Sequence, residues 1–226
     1  MIANKTVSVV MCTYNGEEFI HEQIDSILSQ TYPVLELIIQ DDGSTDSTPS
    51  ICRKYETKYP NVHFFKNKKN LGYNENFRTA CLKAHGDFVA ISDQDDVWIR
   101  KKIEIQVKAI GNRDLCYSDN TTGISKDKLI YRHRRGNSFA VLFYCPLGHT
   151  FLMPRQFAQE QANWTGFRDY DWSLAVHANL QNGTVGVAKA LVWHRVHAGS
   201  ASFKVNSTLK VAKCDNRLLP YIQGYN

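Results

Sequence analysis

The sequence has no CxxC pair, no internal repeat, no low-complexity tract and no apolar run near the ~20 residues that a membrane-spanning helix requires. Each absence excludes something. The six cysteines, at 12, 52, 81, 116, 145 and 214, are spaced for neither a zinc site nor a disulfide framework. Several lie in apolar runs, where a free thiol acts as a small hydrophobe, and this usage points to a reducing compartment. The opening residues MIANKTVSVVM lack a basic region, a long apolar stretch and a cleavage site, so no signal peptide is expected. A cytoplasmic location follows as an expectation. No Gly-rich loop with a Lys/Arg signature follows the first apolar run. The acidic stretch TYNGEE stands there instead, which argues against a nucleotidyltransferase. No aromatic-basic recognition motif accompanies the positive charge, so no nucleic-acid partner is expected.

What is present suits one globular domain: 226 residues, of which 43 % are hydrophobic and 22 % charged, are enough to bury a sizeable core. The net charge of +5 gathers at Lys66–Lys69, Arg100–Lys102 and Arg132–Arg135. These clusters read as solvated faces or as attraction to an anionic partner, namely donor phosphates, an anionic acceptor or an acidic membrane surface.

The first half alternates between two periodicities. Short β-branched runs at Val7–Cys12, Leu35–Gln40, Val62–Lys66 and Asp87–Ser92 predict strands. Helical spacing predicts helices at Glu17–Gln30, stopped by Pro33, and at Asp46–Tyr59, with Asp46 or Ser47 as N-cap. Two more are predicted at Tyr73–His85, ended by Gly86, and Trp98–Ile110, ended by Gly111. Such alternation implies a parallel sheet with helices on both faces. The second half predicts strands at Leu115–Ser118, Leu129–Arg132, Thr150–Met153 and Thr184–Trp193, and a helix at Asp169–Leu180. A mixed sheet built onto the parallel half is expected. The chain then divides into residues 1–112, a nucleotide-binding half; 113–206, an acceptor-side half; and 207–226, a tail.

Ligands of open α/β sheets bind beyond the carboxyl ends of the strands. Three polar clusters stand there: Thr13-Tyr14-Asn15-Gly16-Glu17, Asp41-Asp42-Gly43-Ser44-Thr45-Asp46 and Asp93-Gln94-Asp95-Asp96. Carboxylates gathered this way repel one another unless a cation sits among them. Hard oxygen ligands on a loop suit Mg²⁺ or Mn²⁺, an ion that takes its remaining ligands from water and substrate phosphates. Tyr14 offers a face on which a base can stack. Asp42 can accept from a base N–H or a sugar hydroxyl.

The stretches VSVVMCTYNGEEFIHEQIDSILSQTYP, LELIIQDDGSTDST, NLGYNENF and GDFVAISDQDDVWIRKKIE closely resemble the family 2 glycosyltransferases, in order and at the family's usual spacing, across roughly residues 6–110. The resemblance implies an α/β fold of the GT-A type, with a Rossmann-like nucleotide-binding half and a mixed central sheet in a single domain. It implies inverting transfer of a sugar from a nucleoside diphosphate with the help of Mn²⁺ or Mg²⁺. It assigns Thr13, Tyr14, Glu17, Asp42 and Asp93 to the nucleotide, Asp95 to the metal, and Asp96 to the sugar side.

Inverting transfer also needs a general base for the acceptor hydroxyl. Family members often carry it in an acidic motif at the start of a late helix. Here that motif is Arg168-Asp169-Tyr170-Asp171-Trp172, with Asp171 as the base, Asp169 in reserve and Trp172 lining the site. A histidine completes the metal shell in some relatives, and His197 or alternatively His194 matches it. Arg195 is a candidate for the diphosphate, and Gly148 and His149 for the donor and acceptor lining.

The motif style is closest to bacterial members that transfer rhamnose or related sugars onto surface polysaccharides. A UDP- or dTDP-sugar donor and a glycan or lipid-linked acceptor are therefore expected, with peripheral contact at the inner membrane surface. The intact acids at 42, 93, 95 and 171 weigh against a non-catalytic binding module.

Overall fold

The computed structural model describes residues 5–123, 130–132 and 146–197. The first strand, β1 (Val7–Thr13), is buried along its whole length, because helices cover both of its sides; this is why it reads as a continuous apolar run. It pairs in parallel with β2 (Val34–Asp41) on one side and β4 (Phe88–Ser92) on the other. Outside β2 lies β3 (Val62–Lys66), also parallel. On the far side of β4 the sheet becomes mixed. There β8 (Leu152–Pro154) runs antiparallel to both β4 and β6 (Leu115–Gly123). Next, β9 (Thr184–Arg195) lies parallel to β6 and carries the two-residue β5 (Val97–Trp98) on its outer edge. The order is β3-β2-β1-β4-β8-β6-β9-β5, with β7 (Ile130–Arg132) pairing β6 off this path.

Strand alternation sends side chains into two apolar layers. Val7, Val9 and Met11 meet α1 (Ile20–Leu28), α2 (Thr48–Lys58) and α4 (Lys102–Ile110) on one face. Val10 and Cys12 meet α3 (Tyr73–Cys81), α5 (Arg155–Gln159) and α6 (Tyr170–Leu180) on the other. Fully burying each aliphatic side chain contributes roughly 1.5–3 kcal/mol before the entropy of ordering it. Cys12, Cys52, Cys81 and Cys116 are free and buried in these layers, and burial pushes their thiols far above the ordinary range. They are the small hydrophobes that their positions predict.

The structure corrects several local expectations. The helix predicted from Trp98 starts at Lys102, because Val97–Trp98 is drawn off to pair with β9. Lys102, read as part of a solvated cluster, is fully buried. The helix predicted to run to His85 stops at Cys81, so Gly86 does not end it. Gly86 instead crosses β1 so closely that a Cβ would lie 2.6 Å from the Ser8 amide nitrogen. The expected strand at Thr150 begins two residues later, after a 3-10 turn at Gly148–Thr150. The short helix α5 and a turn at Gln161–Trp164 were not expected from the sequence. The tail, Cys145, Cys214 and His133–Arg135 lie outside the described residues.

Candidate active site

The loops after β1 and β2 are stapled together. Asp41 is wholly buried and accepts from the Thr13 hydroxyl (3.0 Å), from the backbone amides of Gly43 and Ser44, and from the Ser44 hydroxyl. The Asn15 amide donates to Ser44 Oγ, while Asn15 Oδ1 accepts from the Thr45 amide. Glu17 closes the staple: its amide donates to Asp46, and its carboxylate accepts from the Ser47 amide at 2.7 Å. Glu17 therefore orders the start of α2, whose first turn Asp46 also serves by accepting from the Thr48 amide.

Tyr14 stays half exposed, and Gln94 grips its backbone from both sides, accepting from its N–H at 2.9 Å and donating to its C=O at 3.0 Å. Asp42 accepts from the Leu71 and Gly72 amides and from Asn67 Nδ2, at 2.8–2.9 Å. A carboxylate offers about four lone-pair sites, so one remains for a ligand donor.

The third cluster meets β9. Register pairs Val97 with Trp193, which sets Asp95 and Asp96 beside His194–His197. His197 Nε2 lies 2.7 Å from Asp95 Oδ2. Asp96 is wholly buried. Its Oδ1 lies 3.0 Å from His194 Nδ1 and accepts from the Arg195 amide, and its Oδ2 lies 3.4 Å from His149 Nδ1. His149 Nδ1 is also 3.4 Å from Asp93. Arg195 does not face the cleft: it pairs with Glu22 at 2.5 Å, donates to the Asp95 carbonyl and lies between the rings of Phe19 and Trp193.

The electrostatics of this recess suit a cation. Burial raises the Asp93 carboxyl above its usual range. Burial and then the charge of Asp93 raise Asp95, against the hydrogen bond with His197. Burial alone would lower His194, but the hydrogen bond to Asp96 and the charges of Asp96, Asp93 and Asp95 outweigh it and hold His194 at about 8. Asp96 Oδ2 is buried without a hydrogen bond among the described residues. Asp93 and Asp95, both pushed towards protonation, beside a third carboxylate with an unsatisfied oxygen, fit a divalent ion.

Two ligand sets are available. One is Asp95 with His197. The other is Asp96, His149 and His194, whose ligating atoms lie within 4.8 Å of one another. The rings of His149 and His194 stack 4.8 Å apart at 14°. In-plane lone pairs of near-parallel rings do not converge, so this second set needs one ring to turn before both nitrogens reach one ion.

The acidic motif of the second half forms the opposite wall. Asp169 precedes α6 yet does not cap it, because its Oδ1 accepts from the Tyr73 hydroxyl. Asp171 Oδ1 accepts from the Trp172 amide at 2.8 Å. Asn74 clamps the segment by donating to the Arg168 carbonyl and accepting from the Tyr170 amide. Tyr170 is buried, and burial, then the charges of Asp93 and Asp171, push its hydroxyl well above the usual range. The Tyr170 hydroxyl abuts Gly148, next to His149 and the acids of the first half, so the two halves of the sequence meet there.

The sequence model described as "Glycosyl transferase family 2" matches residues 8–175. The chain belongs to this family. It is 30 % identical to the UDP-Glc:alpha-D-GlcNAc-diphosphoundecaprenol beta-1,3-glucosyltransferase WfaP of Escherichia coli, over 87 % of this chain and 79 % of that protein. Over 117 residues it is 36 % identical to the dTDP-rhamnosyl transferase RfbG of Shigella flexneri, covering 49 % of this chain and 40 % of that one. The fold matches the GT-A type. The mannosyltransferase PcManGT from Pyrobaculum calidifontis, solved with GDP-Man and Mn²⁺, superposes with a TM-score of 0.69 at 19 % identity, over 97 % of this chain and 65 % of that one. The chain thus spans less than two thirds of the length of RfbG and of the PcManGT chain.

In this family 2 chain, Asp93, Asp95 and Asp96 gather with His149, His194 and His197, Thr13, Tyr14 and Asp42 lie in the loops after β1 and β2, and Gly148 abuts the Tyr170 hydroxyl. Glu17 and Arg195 are engaged in holding loops. Sequence reasoning missed Gln94, Asn67, Asn74 and Glu22. Asn74 falls within the NLGYN motif, and Gln94 lies between the two acids of DQD, so motif position was the available signal. Glu22 on α1 carries no such signal.

Proposed function

We propose that this family 2 glycosyltransferase moves a sugar, with inversion, from a UDP- or dTDP-sugar to a glycan or lipid-linked acceptor in cell-surface polysaccharide synthesis. The observation that carries the reading is that His149, set against Asp93 and Asp96, directly follows Gly148, which abuts the hydroxyl of Tyr170 between Asp169 and Asp171. A cleft with a cation-seeking cluster on one side and a carboxylate on the other is what an in-line displacement of a diphosphate needs. The names of WfaP and RfbG support a UDP- or dTDP-linked donor, and that of WfaP a diphospholipid acceptor. The Mn²⁺ in the PcManGT structure supports a divalent ion.

Tyr14 stacks the base and the remaining lone pair of Asp42 accepts from it, Thr13 shapes the same loop, and Asp93 faces the ribose. Asp95 and His197 would hold Mn²⁺ or Mg²⁺, which neutralises charge developing on the leaving diphosphate. Asp171 accepts the proton of the acceptor hydroxyl while its oxygen bonds to the anomeric carbon and the bond to the diphosphate oxygen breaks. Asp169 is the weaker candidate, because the Tyr73 hydroxyl already occupies it. His149 and Trp172 line the donor and acceptor sides.

No described helix is long and apolar enough to cross a membrane. Exposed Lys68, Lys69, Arg100 and Lys101 suit a peripheral contact with the anionic inner surface from the cytoplasm.

Asp171→Asn tests the reading. Turnover should fall by about 10²–10⁴, the usual contribution of a general base, while donor affinity measured by calorimetry stays unchanged. Normal turnover in Asp171→Asn together with its loss in Asp169→Asn would move the role to Asp169.

A further inference from the structure

Arg195 is the last residue of β9, and its side chain is only 13 % exposed. A charge so far from water is tolerated only when it is paired and hydrogen-bonded. Its partners lie on two different elements. On one side, Glu22 of α1 pairs with it, and Phe19, at the start of the same helix, places its ring 4.8 Å from the guanidinium. On the other side, its Nε donates to the Asp95 carbonyl at 2.9 Å, and its backbone amide donates to Asp96 Oδ1 at 3.2 Å. Arg195 therefore grips two consecutive residues of the acidic loop, and Glu22 grips Arg195. An acid in the first turn of α1 also suits the helix dipole, but that effect asks for no partner on β9.

The same helix start reaches the histidine. Phe19 meets the His197 ring, with centroids 4.4 Å apart and 46° between planes. His197 stands two residues beyond the end of β9, and past that end Phe19 and Asp95 both bear on its ring. A small octahedral ion such as Mg²⁺, with ligands at about 2.1 Å, sets neighbouring ligands about 3 Å apart. Asp95 Oδ2 and His197 Nε2, at 2.7 Å, stand close to that spacing. One is held from α1 through Arg195, and the other is held from α1 by Phe19. The helix itself is tied to the loop after β1, since the Phe19 and Ile20 amides donate to the Gly16 carbonyl.

We propose that Glu22 and Phe19 are positioning residues for the metal ligands: from a helix outside the acidic motif, Glu22 fixes Asp95 through Arg195, and Phe19 fixes the ring of His197. The proposal rests on the transferase reading above, which names Asp95 and His197 as the ligands, and adds what keeps the two at the spacing an ion needs.

The test is Mn²⁺ binding followed by electron paramagnetic resonance, with Mn²⁺ as the only ligand added. Wild type should bind the ion saturably and show the echo modulation of a coordinated imidazole nitrogen. Glu22→Ala should weaken binding about tenfold or more, the usual loss when a residue that supports a ligand is removed. Glu22→Gln keeps an oxygen that accepts from the guanidinium, so it should restore most of the affinity. A loss in Glu22→Gln as large as in Glu22→Ala would show that charge and not position is at work, and overturns the proposal. So does equal binding by Glu22→Ala. Thermal unfolding without Mn²⁺ shows whether the alanine variant folds. Where it does not, Phe19→Leu decides, because it leaves the ion pair in place. That variant should bind Mn²⁺ more weakly and with reduced imidazole modulation; unchanged affinity and modulation overturn the proposal. Asp95→Asn keeps the two readings apart. No binding by wild type strikes at the ion site of the transferase reading, and the positioning role falls with it. Binding lost in Asp95→Asn but intact in Glu22→Ala and Phe19→Leu strikes at the positioning role alone.

Discussion

Gly148 joins the two walls of the cleft. A Cβ there would overlap the Tyr170 hydroxyl, and Tyr170 cannot easily yield, since it packs against Phe77, Trp164 and Tyr73. Gly148→Ala should therefore displace Tyr170 together with Asp169 and Asp171. Overpacking of this kind typically destabilises by about 1–3 kcal/mol. Turnover should fall further than donor affinity, because the loops after β1 and β2, proposed above to hold the nucleotide, do not contact Gly148. Denaturant unfolding and steady-state kinetics check both halves of that statement, and a variant of native stability with normal turnover would contradict it. Asp96 illustrates a different point. The motif suggests a side chain facing the sugar, but the structure buries it completely between two imidazoles and the Arg195 amide. A spacing reveals that acids cluster; it does not reveal which of them the strand pairing turns inward.

Helix α4 carries a charge where the apolar layer would be expected. Lys102 lies over the Trp98 ring at 3.8 Å and donates to Gln106, which in turn donates to the Thr150 carbonyl at 2.6 Å, next to His149. Burial lowers its ammonium to about 7, against smaller opposing effects of Cys116 and Asp96. Between pH 7 and the ordinary lysine range the unfolded chain binds more protons than the folded one, so stability from this group rises with pH. The slope approaches about 1.4 kcal/mol per pH unit for one proton. Lys102→Met should lack that slope, so its stability advantage at pH 7 should shrink by pH 9. A difference that stays constant between those pH values in urea unfolding would refute the assignment.

The same helix shows the limits of the sequence. The parallel strands and their helices were legible because periodicity and short connections act locally. Val97–Trp98 was not, because its strand state depends on β9, nearly a hundred residues away. Helix α5 was missed for its shortness. The three strand-end clusters were legible from topology, whereas the engagement of Arg195 with Glu22, Phe19 and Trp193 needed tertiary contacts.

Taken whole, the molecule is one continuous mixed sheet whose two halves interleave: β5 from the first half completes the edge of the second. That interleaving brings Asp93–Asp96 against β9 and Tyr170 against the 3-10 turn, so the cleft forms only when both halves fold together. The central claim is that this cleft binds a nucleoside diphosphate through a divalent ion held by Asp95. The most direct measurement is thermal unfolding of wild type and Asp95→Ala with UDP, dTDP and GDP, each with and without Mn²⁺. A ligand that binds only the native state raises the melting temperature by mass action. The account predicts a Mn²⁺-dependent rise with UDP or dTDP in wild type that is absent in Asp95→Ala. No rise with any diphosphate, or an equal rise in Asp95→Ala, would contradict it.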